Sequence, residues 1–349
     1  STGNYCRGGA FDSRLLSCDA LAILPEGMSQ ERFTWLEEIG AEIIRTPGSE
    51  SNVKEIFDEC NRLRASGQDV AIFNQFDEFG NYLWHYSVTG PAMVEAAAAL
   101  APGVPVAAVV LATGSAGTIA SGDFVKQAHH GVRIAAAEAL QCPTMLRNGY
   151  GSHRIEGIGD KHIPWIHNVR NTDVVVAVDD ACPMAVLRLF NEPVGRDLLR
   201  AEGVPAETVD RLGWFGISGI ANLLAAISYA KRFHLGREAV VLTVLTDSVD
   251  LYGSRVRELA AAEGAFTLKT AALAYGRILD QGIEHLAVLD DEARRRIHNL
   301  KYFTWVEQQG KTVDELDAQW SPGYWEAIQG QAGEVDRLIA EFNQKVAAL

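Results

Sequence analysis

The sequence has few basic residues and no long apolar run. Among its 349 residues, 31 Lys and Arg stand against 45 Asp and Glu, which gives a formal net charge of −14 at pH 7. Binding to nucleic-acid phosphates relies on clustered Lys and Arg, so this balance argues against a nucleic-acid partner. No apolar run reaches the ~20 residues that a membrane-spanning helix needs. The first residues also lack the basic and hydrophobic regions of a signal peptide. We therefore expect neither nucleic acid nor membrane as a partner.

Cysteine is also scarce, and its pattern argues against two kinds of site. The five cysteines form no CxxC pair and have no regular spacing; they are Cys6, Cys18, Cys60, Cys142 and Cys182. A dispersed, odd set predicts reduced thiols in a cytoplasmic protein. The neighbouring histidines His129 and His130 would point in different directions on a helix. The sequence therefore predicts no metal site.

What the sequence does contain is a regular alternation of short apolar segments and amphipathic ones. We predict strands over residues 20–25, 41–46, 69–73, 104–112, 132–140, 173–180 and 238–248. We predict helices over residues 29–40, 52–67 and 216–233. Strands that are almost wholly apolar and lie between helices indicate parallel sheets with helices on both faces. The predicted fold class is therefore α/β.

Two of these helices carry recognisable start and stop signals. Ser29 stands where an N-cap is expected, and Gly40 follows the last helical residue as a stop signal. Asn52 and Glu55 have the spacing of a capping box. The sequence thus predicts side-chain caps at the starts of both helices.

The chain divides into three predicted regions. Residues 1–90 form a smaller α/β domain, residues 91–260 a larger α/β domain, and residues 261–349 a mainly helical extension. Apolar residues recur at helical spacing near the end, at Val335, Leu338, Ile339, Phe342 and Val346. This spacing predicts an amphipathic terminal helix. We expect that helix to pack on the body of the protein or on a second subunit.

The strongest local signal for a ligand is the stretch LATGSAGTIASG over residues 111–122. A buried strand ends there in a turn of Gly, Ser and Thr, and a helix then begins. The free N–H groups of the first helical turn, the positive end of the helix and the hydroxyls of Ser115 and Thr118 suit a phosphate. The G-x-G-x-x-G fingerprint of dinucleotide sites is absent. The alternative is a plain tight turn without a ligand.

Four other stretches add candidate binding groups. The opening, STGNYCRGG, is typical of a strand-to-helix turn that approaches a ligand through its backbone. Gln75 follows a predicted strand, where its amide could reach a carboxylate. Residues 153–164, HRIEGIGDKHIP, form a Gly-rich apolar loop, and residues 244–252, VLTDSVDLY, end a strand in three polar groups that could meet a ring nitrogen. For the last three, the alternatives are a strand cap, a surface loop and a helix cap.

The order of these stretches resembles the fold type II pyridoxal-phosphate enzymes, the family that includes cysteine synthase, cystathionine β-synthase and the tryptophan synthase β chain. The resemblance runs from residue 1 to about 255 and includes the segments VTGPAM (88–93) and GISGIANLLAA (216–226). It implies a two-domain architecture with the cofactor pyridoxal 5'-phosphate between the domains. It implies substrate-carboxylate contacts at Thr2, Gly3, Asn4 and Gln75. It implies cofactor contacts at Asn4, Gly114, Ser115, Ala116, Gly117, Thr118, Thr246, Asp247 and Ser248.

Two departures from the family pattern affect the chemistry. The family's Schiff-base lysine lies a few tens of residues before the Asn loop, in a Ser-x-Lys-[DE]-Arg context. No residues stand there in this sequence, and none of its eight lysines has that context. We therefore assign no catalytic residue and expect that a lysine-bearing N-terminal segment, with the first strands, is missing. At the ring nitrogen, Asp247 stands where the family often has Ser or Thr, and an aspartate would keep that nitrogen protonated.

The resemblance implies an enzyme that carries out β-elimination or β-replacement on a small amino acid, with an O-acyl-serine or a cysteine as the type of substrate. It also implies a homodimer. A threonine or serine dehydratase is the alternative within the family. Two further alternatives remain: one piece of a split enzyme, with the lysine on a separate segment, and a non-catalytic subunit that kept the fold.

Overall fold

Two separate β-sheets organise the fold of the computed structural model, which describes residues 3–49 and 51–347. Within these residues the strands are β1 (Leu21–Pro25), β2 (Glu42–Thr46), β3 (Val106–Ala112), β4 (Arg133–Ala139), β5 (Val174–Val178), β6 (Val240–Leu242) and β7 (Leu286–Val288). The smaller sheet pairs β1 with β2, and the larger one has the order β6-β3-β4-β5-β7. All neighbouring strands are parallel except β5 and β7. The α/β class with parallel sheets is confirmed.

Helices connect and cover these strands. In chain order, the α-helices of the described residues are α1 (Asn4–Leu15), α2 (Gln30–Glu38), α3 (Lys54–Ala65), α4 (Phe79–Trp84), α5 (Gly90–Leu100), α6 (Ile119–Ala128), α7 (Thr144–Arg147), α8 (Ala181–Asn191), α9 (Pro193–Ala201), α10 (Ala206–Arg211), α11 (Ile217–Arg232), α12 (Gly253–Glu263), α13 (Leu268–Leu279), α14 (Asp291–Asn299), α15 (Val313–Ala318), α16 (Pro322–Gln329) and α17 (Ala332–Ala347). π-Helical turns occur at His85–Thr89 and Tyr302–Val306.

The larger sheet is buried on both faces because successive side chains of a strand point to opposite sides. In β3, Ala108 and Val110 pack with α8 and α11, whereas Val109 and Leu111 pack with α5 and α6. This explains why these strands read as continuous apolar runs. At one edge, β7 joins β5 in antiparallel register, with Val174 opposite Val288. The region after residue 261 therefore contributes a strand as well as helices.

The smaller sheet has fewer strands than the sequence predicts. β1 and β2 pair in parallel, with Ala22 opposite Ile43, and α1, α2 and α3 cover them. The strand predicted over residues 69–73 is wrong: that segment has no regular secondary structure and pairs with no strand of the described residues. Val70 and Phe73 are 40% and 71% exposed. A segment with the composition of a strand forms one only where a neighbouring backbone supplies the hydrogen bonds, and no described segment does so here.

Both helices are present, and Ser29 is confirmed as the N-cap residue of α2, but the capping box predicted at Asn52 and Glu55 is wrong. Ser29 is the N-cap residue of α2, but its hydroxyl makes no capping bond; its backbone N–H donates to Glu156 Oε2 at 3.1 Å. The N-cap of α3 is Val53. Asn52 Oδ1 accepts from the Ser49 N–H, and its Nδ2 donates to Glu55 Oε1. At Asn52 the Ser49 N–H takes the side-chain oxygen that would have capped the helix, whereas the Ser29 hydroxyl is buried and has no hydrogen-bond partner among the described residues. At the end of α2, Gly40 adopts φ +80°, as expected for a stop signal.

The terminal helix α17 carries an apolar face without a cover. None of its described residues is buried, and its five apolar residues from Val335 to Val346 are 38% to 52% exposed. Among the described residues Ala332, at the start of the helix, packs on the body of the protein, whereas the apolar face does not, so packing of that face on a second subunit stays a prediction. No helix of the described residues is long and apolar enough to cross a membrane.

Candidate functional site

The loop between β3 and α6 presents unpaired backbone donors. Thr113 anchors its start, because its N–H and Oγ1 both donate to the Ala137 carbonyl, at 2.9 and 3.2 Å. Ala116 adopts a left-handed conformation with φ +64°. Over residues 3–49 and 51–347, no acceptor meets the N–H groups of Gly114, Ser115, Ala116 or Thr118. Free donors at the positive end of a helix form an anion site.

Asn81 connects this loop to Gln75. Its Nδ2 donates to Ser115 Oγ at 3.0 Å and to the Gln75 carbonyl at 2.9 Å. A Cβ at Gly117 would collide with the Asn81 amide, so a larger residue there would displace Asn81 from its contacts. Gln75 itself is 6% exposed. The structure therefore brings Gln75 beside the loop, through a residue that the sequence reasoning missed although it lies in the same stretch, FNQFDEFGN.

The Gly-rich loop over residues 153–164 lies directly against the same turn. The Gly159 N–H donates to the Thr113 carbonyl at 2.5 Å, and a Cβ on Gly114 would lie 3.2 Å from the Gly157 carbonyl oxygen. Gly157 and Gly159 have φ of +92° and +68°, a region that favours glycine. A Cβ on Gly157 would in turn lie 3.4 Å from Ser218 Oγ at the start of α11. Three stretches far apart in sequence thus meet at one place.

Of the three polar residues predicted after β6, two lie where these stretches meet and one lies elsewhere. Thr246 Oγ1 lies 2.9 Å from Ser218 Oγ, so Thr246 belongs to the cluster. The Asp247 carbonyl accepts from the Gly216 N–H at 3.0 Å, which holds Asp247 at the start of α11. Ser248 lies apart, because its hydroxyl donates to Asp250 Oδ2 and caps the turn Val249–Leu251. Only Thr246 and Asp247 therefore lie with the other candidates.

Asn4 reaches Asp247 directly. Its Nδ2 donates to Asp247 Oδ2 at 3.0 Å, and its Oδ1 accepts from Arg32 Nη1 at 2.9 Å. Gly3 precedes it with φ +84°, and a Cβ there would lie 2.7 Å from Arg32 Nη1. Tyr252 also donates to Asp247 Oδ2, at 2.7 Å, and burial raises the pKa of its hydroxyl well above the ordinary value. Thr2, the remaining predicted contact, lies outside the described residues.

A buried ion network supports this end of the site. Arg32 Nε donates to Glu156 Oε2 at 3.0 Å, and Arg255 Nε donates to Glu156 Oε1 at 2.6 Å. The side chains of Arg32 and Glu156 are 1% and 5% exposed. Sequence reasoning missed all three residues. The one available signal was Arg32 itself, which stands on the same helix face as the buried Phe33 and Leu36.

A small cavity lies behind the loop, with a volume of about 10 Å³. Such a volume holds about one water molecule. Its lining includes Thr113, Gly114, Glu138, Asp160 and His162. Both oxygens of Glu138 accept backbone hydrogen bonds at 2.9 Å, from the N–H groups of Met145 and Leu146 in α7. Burial nevertheless raises the pKa of Glu138 to about 7 and lowers that of His162 to about 3.

This raised pKa predicts a pH dependence of stability. The folded protein retains the Glu138 proton up to about pH 7, whereas the unfolded chain loses it near the ordinary pKa of 4.5. The contribution is therefore complete below pH 4.5 and is lost as the pH rises to about 7, which amounts to about 3 kcal/mol. Urea unfolding should be measured for the wild type and for Glu138→Gln at several pH values over this range. The difference between their free energies of unfolding should change by about 3 kcal/mol across it. Because His162 titrates in both proteins, a difference that stays constant with pH would contradict the assignment.

No group of three or more His, Cys, Asp or Glu side chains within the described ranges is placed to hold a metal ion. The five cysteines are free thiols. The site contains backbone N–H groups, hydroxyls, amides and the buried carboxylates of Asp247 and Glu156.

The chain is similar to a family of enzymes and to several individual relatives. The profile of the family described as "Pyridoxal-phosphate dependent enzyme" matches residues 1–247. A cysteine synthase of Staphylococcus aureus is 29% identical over 255 residues, which are 72% of this chain and 74% of the relative. An O-acetylserine dependent cystathionine beta-synthase of Bacillus subtilis is 26% identical over 257 residues, 73% of this chain and 75% of the relative.

Solved structures show the same fold. The O-acetylserine dependent cystathionine beta-synthase from Helicobacter pylori superimposes with a TM-score of 0.59 at 24% identity, over 73% of this chain and 75% of that one. A hydrogen sulfide-producing enzyme from Fusobacterium nucleatum gives a TM-score of 0.60 at 23% identity, over 72% of this chain and 77% of that one.

Proposed function

Since the chain belongs to the pyridoxal-phosphate dependent enzyme family and is cysteine synthase-like, we propose that it catalyses β-replacement or β-elimination on a small amino acid. The substrate is an O-acyl-serine or a cysteine, and a sulfur nucleophile is the partner in replacement. The cofactor of the family is pyridoxal phosphate.

One observation carries this proposal: the predicted binding stretches meet at a single point. The Gly114 turn touches Gly157, Gly157 touches Ser218, and Ser218 touches Thr246. Asp247 follows and is bonded to Asn4. A phosphate donor set and a polar group for a heterocyclic ring therefore lie at the two ends of one continuous cluster, which suits a phosphorylated ring compound.

The residues present suit the cofactor by their chemistry. The unpaired N–H groups of Gly114, Ser115, Ala116 and Thr118 are the donors that a phosphate needs. Asp247 Oδ1 is buried and has no hydrogen-bond partner among the described residues, so it can accept from a protonated ring nitrogen. At this end the Asn4 and Asp247 side chains touch each other, and a ring bound there would have to separate them.

The chain's own residues bind and orient. The Gly3–Asn4 loop and Gln75 offer donors for the substrate carboxylate, and the hydroxyls of Ser115 and Thr118 add to the phosphate donors. Asp247 would hold a proton on the ring nitrogen. When bound, the cofactor supplies the electron sink for charge at the substrate α-carbon. The contribution of the protein is to hold the breaking Cα–H bond in one orientation.

We also propose that activity requires a lysine-bearing segment in addition to these residues. Two features of the smaller sheet support this. Segment 69–73 has the composition of a strand and lies unpaired and exposed, and the sheet holds β1 and β2 alone among the described residues. Parallel sheets are normally larger and covered on both faces. A strand next to β1 would complete the sheet and place its own residues near Asn4. The functional unit that we propose is a cytoplasmic homodimer, consistent with the free thiols.

The test is a titration of the purified protein with pyridoxal phosphate, followed in the visible spectrum and then by borohydride reduction and intact mass. We expect no pyridoxyl group on any lysine of the chain alone. A spectrum and a fixed pyridoxyl group should appear when the lysine-bearing segment of a cysteine synthase is supplied, together with cysteine formation from O-acetylserine and sulfide. Labelling of one lysine in the chain alone would contradict the requirement for a segment.

The same reaction mixtures distinguish the alternatives. Release of a 2-oxo acid from threonine or serine, without cysteine formation, would indicate a dehydratase. Binding of phosphate without any covalent adduct, in the presence of the segment as well, would indicate a non-catalytic subunit.

A further inference from the structure

Arg32 is a fully buried cation at the contact between α2 and the segment after β6. Its guanidinium donates to Asn4 Oδ1 at 2.9 Å, Glu156 Oε2 at 3.0 Å, Asp247 Oδ2 at 3.3 Å and the Tyr252 hydroxyl at 2.6 Å. No residue in the predicted carboxylate or cofactor set has as many charged and polar partners as this one. Two of those partners, Asn4 and Asp247, are the residues proposed to face the ligand.

Arg32 determines which end of the Asn4 amide faces the site. A guanidinium donates and cannot accept, so the Asn4 atom against it must be the carbonyl Oδ1. The NH₂ group then meets Asp247 Oδ2, which is an acceptor. The reverse orientation would place two donors together at Arg32 and two acceptors together at Asp247. Because both neighbours are charged, that error is costly, and the amide has one orientation.

Arg32 also distinguishes the two oxygens of Asp247. Oδ2 accepts from Asn4 and Tyr252 as well as from Arg32. Oδ1 is buried and has no partner in the part of the chain that the structure describes. One oxygen is therefore held by the protein, and the other is left as an acceptor for something else.

We propose that Arg32 is a positioning residue: it makes Asn4 present an N–H donor and Asp247 present a free acceptor oxygen to the ligand. The matching ligand has an ionised oxygen on one side and an N–H donor on the other. The identity of this ligand rests on the proposed function, whereas the orientation of the two side chains does not. Arg32 thus determines where the site offers a donor and where it offers an acceptor, although Arg32 itself does not face the ligand.

The direct test compares Arg32→Lys with Arg255→Lys. A lysine keeps the charge but has no fork, so it cannot reach Asn4, Asp247 and Glu156 together. Arg255 shares Glu156 with Arg32 and does not touch Asn4, which makes it a matched control. The readout is the side-chain ¹H–¹⁵N signal of Asn4, identified by its absence in Asn4→Ala. We expect the signal to move in Arg32→Lys and to stay in place in Arg255→Lys. An unmoved signal in Arg32→Lys would overturn the proposal.

Binding provides the second readout. Pyridoxine 5'-phosphate has no aldehyde, so its binding does not need the lysine. Arg32→Lys should weaken it about tenfold and leave the affinity for inorganic phosphate within about twofold, because Arg32 acts at the ring end alone. Arg255→Lys should leave both affinities within about twofold. Equal affinity of wild type and Arg32→Lys for pyridoxine 5'-phosphate would overturn the proposal.

These readouts separate the two levels of inference. If the wild type binds neither probe, the proposed function fails, and the Asn4 signal alone decides the role of Arg32. If Arg32→Lys does not fold, Tyr252→Phe replaces it, because the lost hydroxyl contacts both Arg32 and Asp247. That variant should give a smaller shift of the Asn4 signal in a folded protein, and no shift would contradict the proposal.

Discussion

Lys301→Met should lower the free energy of unfolding by about 3 kcal/mol. Lys301 is fully buried, and its Nζ donates to the Trp165 carbonyl at 2.9 Å, the His167 carbonyl at 2.8 Å and Gln319 Oε1 at 2.6 Å. Methionine would leave Gln319 Oε1 without a donor, since the Trp165 carbonyl retains one from Gln319 Nε2 and the His167 carbonyl retains one from the Val169 N–H. It would also remove a cation that lies 5.7 Å from two indole rings.

The opposing effect is the cost of burying the ammonium, which lowers the pKa of Lys301 well below its ordinary value. Because methionine also removes this cost of burying a charge, the net loss of stability is smaller than the lost contacts alone would give. Lys311→Met is the control, because Lys311 lies over the same Trp165 ring at 5.5 Å but is only partly buried and is paired with Asp77 at 3.4 Å. It should cost less than about 1 kcal/mol. Denaturant unfolding that gives both variants the same loss would show that the three acceptors contribute little.

The larger sheet could be predicted because its signals are local. β3, β4 and β5 read as apolar runs bounded by turns, and burial on both faces requires that composition. The strand over 69–73 had similar composition but no neighbouring backbone to pair with. A segment becomes a strand only when a second segment pairs with it, and the composition of one segment does not show whether that partner is present. For the same reason β7 was missed: three residues after a helical region become a strand because β5 lies beside them.

In the site, too, the residues with local sequence signals could be predicted, and those that act through contacts between distant segments could not. The turn over 114–118 and the loop with Gly157 were recognisable because glycines and hydroxyls stand next to each other in sequence. Asn81 and Arg32 act through contacts between elements. Arg32 meets Glu156 and Asp247 across 124 and 215 residues. No local sequence pattern indicates a contact between residues so far apart in the chain. The Ser29 N–H gives a further example, since it donates to Glu156, 127 residues away.

Trp305→Ala should lower the free energy of unfolding by about 4 kcal/mol. Trp305 is fully buried, and its Nε1 donates to the Ile163 carbonyl at 2.8 Å. Its ring lies 5.7 Å from that of Phe57 in α3, 5.8 Å from that of His162 and 6.0 Å from that of Trp165. The substitution therefore opens a cavity where three segments meet and leaves a carbonyl unpaired. Trp305→Phe should cost less than half as much, because it retains an aromatic ring.

Trp214→Ala is the matched control, since Trp214 is 64% exposed and should contribute less than about 1 kcal/mol. Chemical unfolding of the three variants gives the comparison. The family match ends at residue 247, yet Trp305 packs on Phe57 and on the segment beside the cavity. A large loss in Trp305→Ala would therefore show that the region after the match is part of the same cooperative core. A loss no larger than that of Trp214→Ala would mean that this region adds little to the stability of the rest.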